Sequence, residues 1–84
     1  MDTERRKGIA LAKKHGLSHA AQAIRDGKCY QDIFNAAINE SSPELVSTIV
    51  AESKDPYWNC NAALCIPGLT EAQKERHLAI AGRA

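Results

Sequence analysis

Residues 30–44 read Tyr30-Gln31-Asp32-Ile33-Phe34-Asn35-Ala36-Ala37-Ile38-Asn39-Glu40-Ser41-Ser42-Pro43-Glu44. Tyr30, Ile33, Phe34, Ala37 and Ile38 fall at i, i+3, i+4, i+7 and i+8. That spacing draws one apolar stripe along a helix of 3.6 residues per turn and fits no strand. Ser42-Pro43-Glu44 then announces a second helix. A serine hydroxyl caps an orphan N–H, and proline suits the first helical position because its missing N–H would have no intrahelical partner.

The same punctuation recurs outward from this pair. Asp55-Pro56 repeats the cap-then-proline start, and Thr70-Glu71-Ala72-Gln73 spells a capping box. Ser18 and Thr3 are further candidate caps. Gly16, Gly27, Pro67-Gly68 and Gly82 separate the segments. The spacing predicts helices over 4–15, 18–26, 29–40, 43–53, 56–65 and 71–81, with no segment alternating in the manner of a strand. The expected fold is all-α, five to six short helices in a single small domain over 1–84. The expected buried set is Leu11, Ala12, Leu17, Ala20, Ile24, Ile33, Phe34, Ala37, Ile38, Val46, Ile49, Val50, Ala63 and Leu64.

A longer spacing runs through these elements. Asn35-Ala36-Ala37-Ile38 returns 26 residues later as Asn61-Ala62-Ala63-Leu64, and 26 residues earlier stands Ile9-Ala10-Leu11-Ala12. We read three degenerate helix–turn–helix units with a period near 26 residues. One such hairpin cannot bury its apolar face alone, and stacked copies share a core.

Composition bounds the function classes. Of 84 residues, 44% are hydrophobic and 25% charged, the balance of an ordinary globular chain and not of a disordered one. No apolar run approaches membrane-span length, so no membrane role is expected. Net charge is +1, yet residues 1–28 carry seven bases against three acids, a local net of +4. Three cysteines, Cys29, Cys60 and Cys65, with no secretory signal, predict free, buried structural thiols in a cytoplasmic protein. Cys60 and Cys65 are five apart and have no second ligand pair, and His15 and His19 straddle Gly16. No metal site is therefore expected. The five glycines are scattered, with no phosphate-binding loop. We expect no catalytic residues and no cofactor.

Asp55-Pro56, Asn61-Ala62-Ala63-Leu64 and Pro67-Gly68-Leu69-Thr70-Glu71-Ala72-Gln73 resemble a unit of the leucine-rich repeat variant and HEAT-like helical solenoids. The likeness spans residues 29–78 and is best over 55–78. It implies a protein-contact scaffold, a non-catalytic adaptor or inhibitor acting on one protein partner. In the last unit Glu75, Arg76 and His77 stand where that pattern places apolar residues. A second resemblance covers residues 10–28, where Leu11-Ala12-Lys13-Lys14-His15-Gly16-Leu17-Ser18-His19-Ala20-Ala21 looks like a DNA-binding helix-turn-helix. It implies, as the alternative function, a small nucleic-acid-binding regulator with contacts from Lys13, Lys14, Ser18, His19, Gln22 and Arg25. That family buries apolar side chains six and nine residues after the turn glycine, where this chain has Gln22 and Arg25.

The repeat register also nominates a protein-binding surface. Tyr57 and Trp58 align with Gln31 and Asp32, and with Arg5 and Arg6, all polar. This column is expected to face solvent, as a partner-binding ridge of Tyr57, Trp58, Arg5 and Arg6. The competing expectation is a rotated last unit in which Trp58 closes the core.

Overall fold

The computed structural model describes residues 2–83. Six helices follow one another: α1 (Thr3–Lys14), α2 (Ser18–Arg25), α3 (Tyr30–Glu40), α4 (Pro43–Ser53), α5 (Pro56–Cys65) and α6 (Glu71–Ile80). No strand occurs among the described residues. The caps act as their chemistry requires. Ser42 accepts from the Leu45 N–H, Asp55 from the Trp58 N–H, and Thr70 and Gln73 form the complete reciprocal box.

Two starts differ from expectation. Asp2, not Thr3, caps α1, its carboxylate 2.8 Å from the Arg5 nitrogen. Ser18 is the first residue of α2, whose N-cap position holds Leu17 with no side-chain cap. The end of α3 supplies the missing acceptor. Glu40 Oε1 lies 2.8 Å from the His19 nitrogen and 3.2 Å from Ser18 Oγ, and Oε2 lies 3.5 Å from the Ala20 nitrogen. Burial pushes the Glu40 carboxyl up, but these hydrogen bonds and the nearby His19 outweigh it and leave the group below its usual range.

Successive helices stack: α1 on α2, α2 on α3, and α5 on α6, with α4 touching α3, α5 and α6. Helix α1 also reaches α5, so the first pair meets the last and the stack closes on itself. The core gathers inside this closure, from Ala12, Leu17, Ala20, Ala21 and Ile24 through Ile33, Phe34, Ala37, Val46, Ile49 and Val50 to Trp58, Ala62 and Ile66. Four residues expected inside are not. Leu11, Ile38 and Ala63 are half-buried, and Leu64 is 77% exposed.

Trp58 accounts for the α1–α5 closure. It is 4% exposed, so the expectation that it faces solvent is overturned and the core placement is the correct one. Its indole Nε1–H donates to the Glu4 carbonyl at 2.8 Å. Its ring meets Tyr30 and Tyr57 edge-on, each with centroids 5.7 Å away, and leans on Phe34 at 6.1 Å. Helix α1 comes this close because residue 8 is glycine. A Cβ there would stand 2.3 Å from Cζ2 of the indole and 2.7 Å from Cε2. Gly8 is thus a mid-helix glycine retained for close approach, at a propensity cost of about 0.5–1 kcal/mol. Gly8→Ala should lower stability by about 1–3 kcal/mol in chemical denaturation, although alanine is the better helix former. A gain in stability would show that the indole can slide away.

Candidate interaction surface

With Trp58 turned inward, the surface above it is built from its neighbours. Arg5, Tyr30 and Tyr57 stand in the first turns of α1, α3 and α5. The Arg5 guanidinium lies 5.5 Å from the Tyr30 ring centroid, and Tyr30 meets Tyr57 edge-on at 5.7 Å. All three are half-buried. Arg5 is also anchored from below, donating to the Ile24 carbonyl at 3.1 Å and the Lys28 carbonyl at 3.3 Å at the end of α2. These bonds anchor the Arg5 guanidinium beside Tyr30, and Trp58 forms the floor of the ridge.

Three of the four residues expected at a partner surface are therefore redistributed. Tyr57 and Arg5 are brought together through Tyr30, Trp58 lies beneath them, and the fourth, Arg6, is exposed. Tyr30 belongs by spacing to the apolar stripe of α3. Its place 25 residues after Arg5 and 27 before Tyr57 is the signal that would have found it.

From Tyr57 the surface continues down α5. Tyr57, Cys60, Asn61 and Leu64 recur at i, i+3, i+4 and i+7, one outward stripe. Its far end, Leu64, is the most exposed large hydrophobic side chain among the described residues. A groove of about 350 Å³ runs beside the Tyr57 end of this stripe, lined by Pro56, Tyr57, Cys60 and Asn61 on one side and Ala81 and Arg83 on the other.

The alternative nucleic-acid contacts occupy a different edge. Lys13, Lys14, Ser18, His19, Gln22 and Arg25 are all exposed. Gln22 and Arg25 are not buried as the helix-turn-helix pattern requires. Ala21 and Ile24 point inward instead, one residue earlier each. The positive end of α2, where a phosphate would sit, is already filled by the Glu40 carboxylate.

A second constellation is wholly interior. Ser47 on α4, Asn59 on α5 and His77 on α6 are 5%, 0% and 1% exposed. Asn59 Nδ2 donates to the Val50 carbonyl at 2.9 Å and the Asp55 carbonyl at 2.8 Å, which turns Oδ1 toward His77 Nδ1 at 2.7 Å. Nδ1 therefore carries the proton, and Nε2 accepts from the Ser47 hydroxyl at 2.7 Å. The connectivity is that of a serine–histidine relay, but all three side chains are closed off from solvent. A nucleophile without access to substrate is a clamp, joining α4, α5 and α6. Burial, and then the neighbouring Arg76, hold the His77 imidazole below its ordinary value of 6.5.

The thiols are less buried than expected: Cys29 is exposed, and Cys60 and Cys65 are half-buried. Burial, followed by the nearby Cys29, pushes the Cys65 thiol up. No group of three or more metal-ligating side chains occurs among the described residues, and no helix there is long and apolar enough to cross a membrane. Compared with known proteins, the chain matches no family model, no curated protein and no solved structure.

Proposed function

We propose that this protein is a non-catalytic interaction module that binds one protein partner through the Arg5–Tyr30–Tyr57 ridge and the outward stripe of α5. The observation that carries the reading is Leu64, 77% exposed on the same helical stripe as Tyr57 and Cys60. An apolar side chain so far out contributes nothing to the fold. Set about 10 Å along the helix from a preorganised tyrosine–arginine cluster, it forms part of a contiguous contact patch. Tyrosine and arginine are the side chains that dominate binding energy at protein interfaces, and here they are held rigid before any partner arrives.

The test is affinity capture with the wild-type chain and with Leu64→Glu as baits. Leu64→Glu should change folding stability by no more than about 0.5 kcal/mol, because the site is at the surface. It should release a partner that the wild type retains, and Tyr57→Ala should release the same one. A captured set that Leu64→Glu and Tyr57→Ala leave unchanged overturns the proposal. The nucleic-acid alternative predicts instead duplex binding that falls steeply with salt and with Lys13→Ala plus Lys14→Ala.

A further inference from the structure

Helix α6 is held in an unusual way. Its one fully buried side chain is His77, while Gln73, Leu78 and Ile80 are only half-buried. A helix docked mostly by apolar area would show a stripe of buried aliphatic residues, and α6 shows none. Its attachment depends on an imidazole that bridges two other helices, to Ser47 on α4 and to Asn59 on α5.

That bridge uses both ring nitrogens in opposite senses, Nδ1 as donor and Nε2 as acceptor. A second proton makes both nitrogens donors. The Ser47 hydroxyl must then turn to accept from Nε2–H, which leaves its own proton without that acceptor, and a positive charge is enclosed in a site shielded from water. Nothing there compensates it. From α4 the ring is faced by Ser47 and from α5 by Asn59, neither of which titrates. On α6 itself the neighbouring charge is Arg76, which repels a cation. Among the described residues no carboxylate lies within ion-pair distance of His77; the ion pairs present are Lys7–Asp55 and His19–Glu40. In water the same imidazole takes up the proton freely.

We propose that α6 is an acid-released flap: protonation of His77 undocks residues 70–83 from α4 and α5 and removes the wall of the groove beside Tyr57, Cys60 and Asn61. Ala81 and Arg83 form that wall, so release dismantles one side of the contact surface. The regulatory consequence rests on the interaction surface proposed above; the release itself does not. The sign follows from proton binding. The docked state binds fewer protons than the released one, so docking is complete above pH 6.5 and weakens as the pH falls below it. The opening constant rises by up to tenfold per pH unit until the docked imidazole itself titrates.

The experiment is hydrogen exchange of the free chain at pH 7.5 and 5.5, expressed as protection factors so that intrinsic exchange chemistry divides out. Amides of α6 should lose up to roughly tenfold in protection at the lower pH while those of α3 keep theirs. His77→Gln supplies a neutral donor and acceptor at one position and should remove the pH dependence. An NMR titration of the wild-type His77 ring, expected below 6.5, decides the matter even where that variant fails to dock α6. Equal protection of α6 at both pH values, an equal loss in α3, persistence of the effect in His77→Gln, or a ring that titrates at or above 6.5 would each overturn the flap. Those results leave the Leu64 capture experiment untouched, and a failed capture leaves the exchange result standing.

Discussion

Trp58→Ala should remove most of the folded population at physiological temperature. The side chain is 4% exposed, and its loss deletes two edge-on aromatic contacts, the tilted contact with Phe34 and the Nε1–Glu4 carbonyl bond together. Aromatic-to-alanine changes in cores cost about 3–5 kcal/mol, and a domain this small has a total stability of similar size. Relaxation offers little relief. The glycine at position 8 already brings α1 as near as helix backbone can come, and the void would open between α1, α3 and α5. Urea denaturation followed by helical circular dichroism checks the result. A variant that melts near the wild-type temperature would return Trp58 to the surface.

Asn59→Ala should cost roughly 3 kcal/mol, more than its size implies. Asparagine here fills no large volume. Its amide donates to two carbonyls of other turns while its oxygen accepts a hydrogen bond from His77 Nδ1–H. Alanine leaves the Nδ1–H of a 1%-exposed ring with no acceptor and removes the amide bond to the Val50 carbonyl, which keeps only the Ser53 hydroxyl as a side-chain donor. Ser47→Ala should cost less, because it removes a donor from an acceptor that tolerates the loss better than a buried N–H does. Calorimetric melting of the two variants side by side tests the ranking. Equal and small losses would show that the clamp contributes nothing to stability.

Local chemistry was largely legible in the sequence where cause and effect lie within four residues, the cap of α1 being an exception, since Asp2 takes the place expected of Thr3. The caps at Ser42, Asp55 and Thr70 and all six helix boundaries to within one residue follow from that rule. The stripe of α3 likewise needed no partner to be recognised. Helix α5 shows where such reasoning ends. Its apolar residues are spread around the axis, so no face is favoured by the sequence of the helix alone. Gly8, 50 residues away, selects the face by admitting the indole. Once Trp58 points inward, residue 64 lies about 120° round the helix from it, and Leu64 is carried outside. Ala62 and Ile66, one and two turns beyond Trp58, are buried instead. His77 was half hidden for the same reason, since the repeat resemblance places an apolar residue there but nothing nearby in sequence supplies its partners. A histidine between Arg76 and Leu78 has the signature of a solvated turn, and only the meeting of residues 47, 59 and 77 makes it interior. The aromatic ridge was half legible. The near-26-residue spacing pointed to Arg5 and Tyr57, and the element joining them, Tyr30, was concealed by its membership of an otherwise internal stripe.

The Glu40 carboxylate, placed at the start of α2 from the far end of α3, bears on the order in which the chain assembles. An eight-residue helix without its own cap is a poor nucleus, since the first turn fixes several residues for one hydrogen bond. Until α3 is formed through to its last turn, three donors at the head of α2 have only water to bond. The first helical pair therefore gains its full set of hydrogen bonds only once the third helix is in place. Residues 3–40 are expected to fold as one cooperative unit, coupled through the contact between positions 19 and 40.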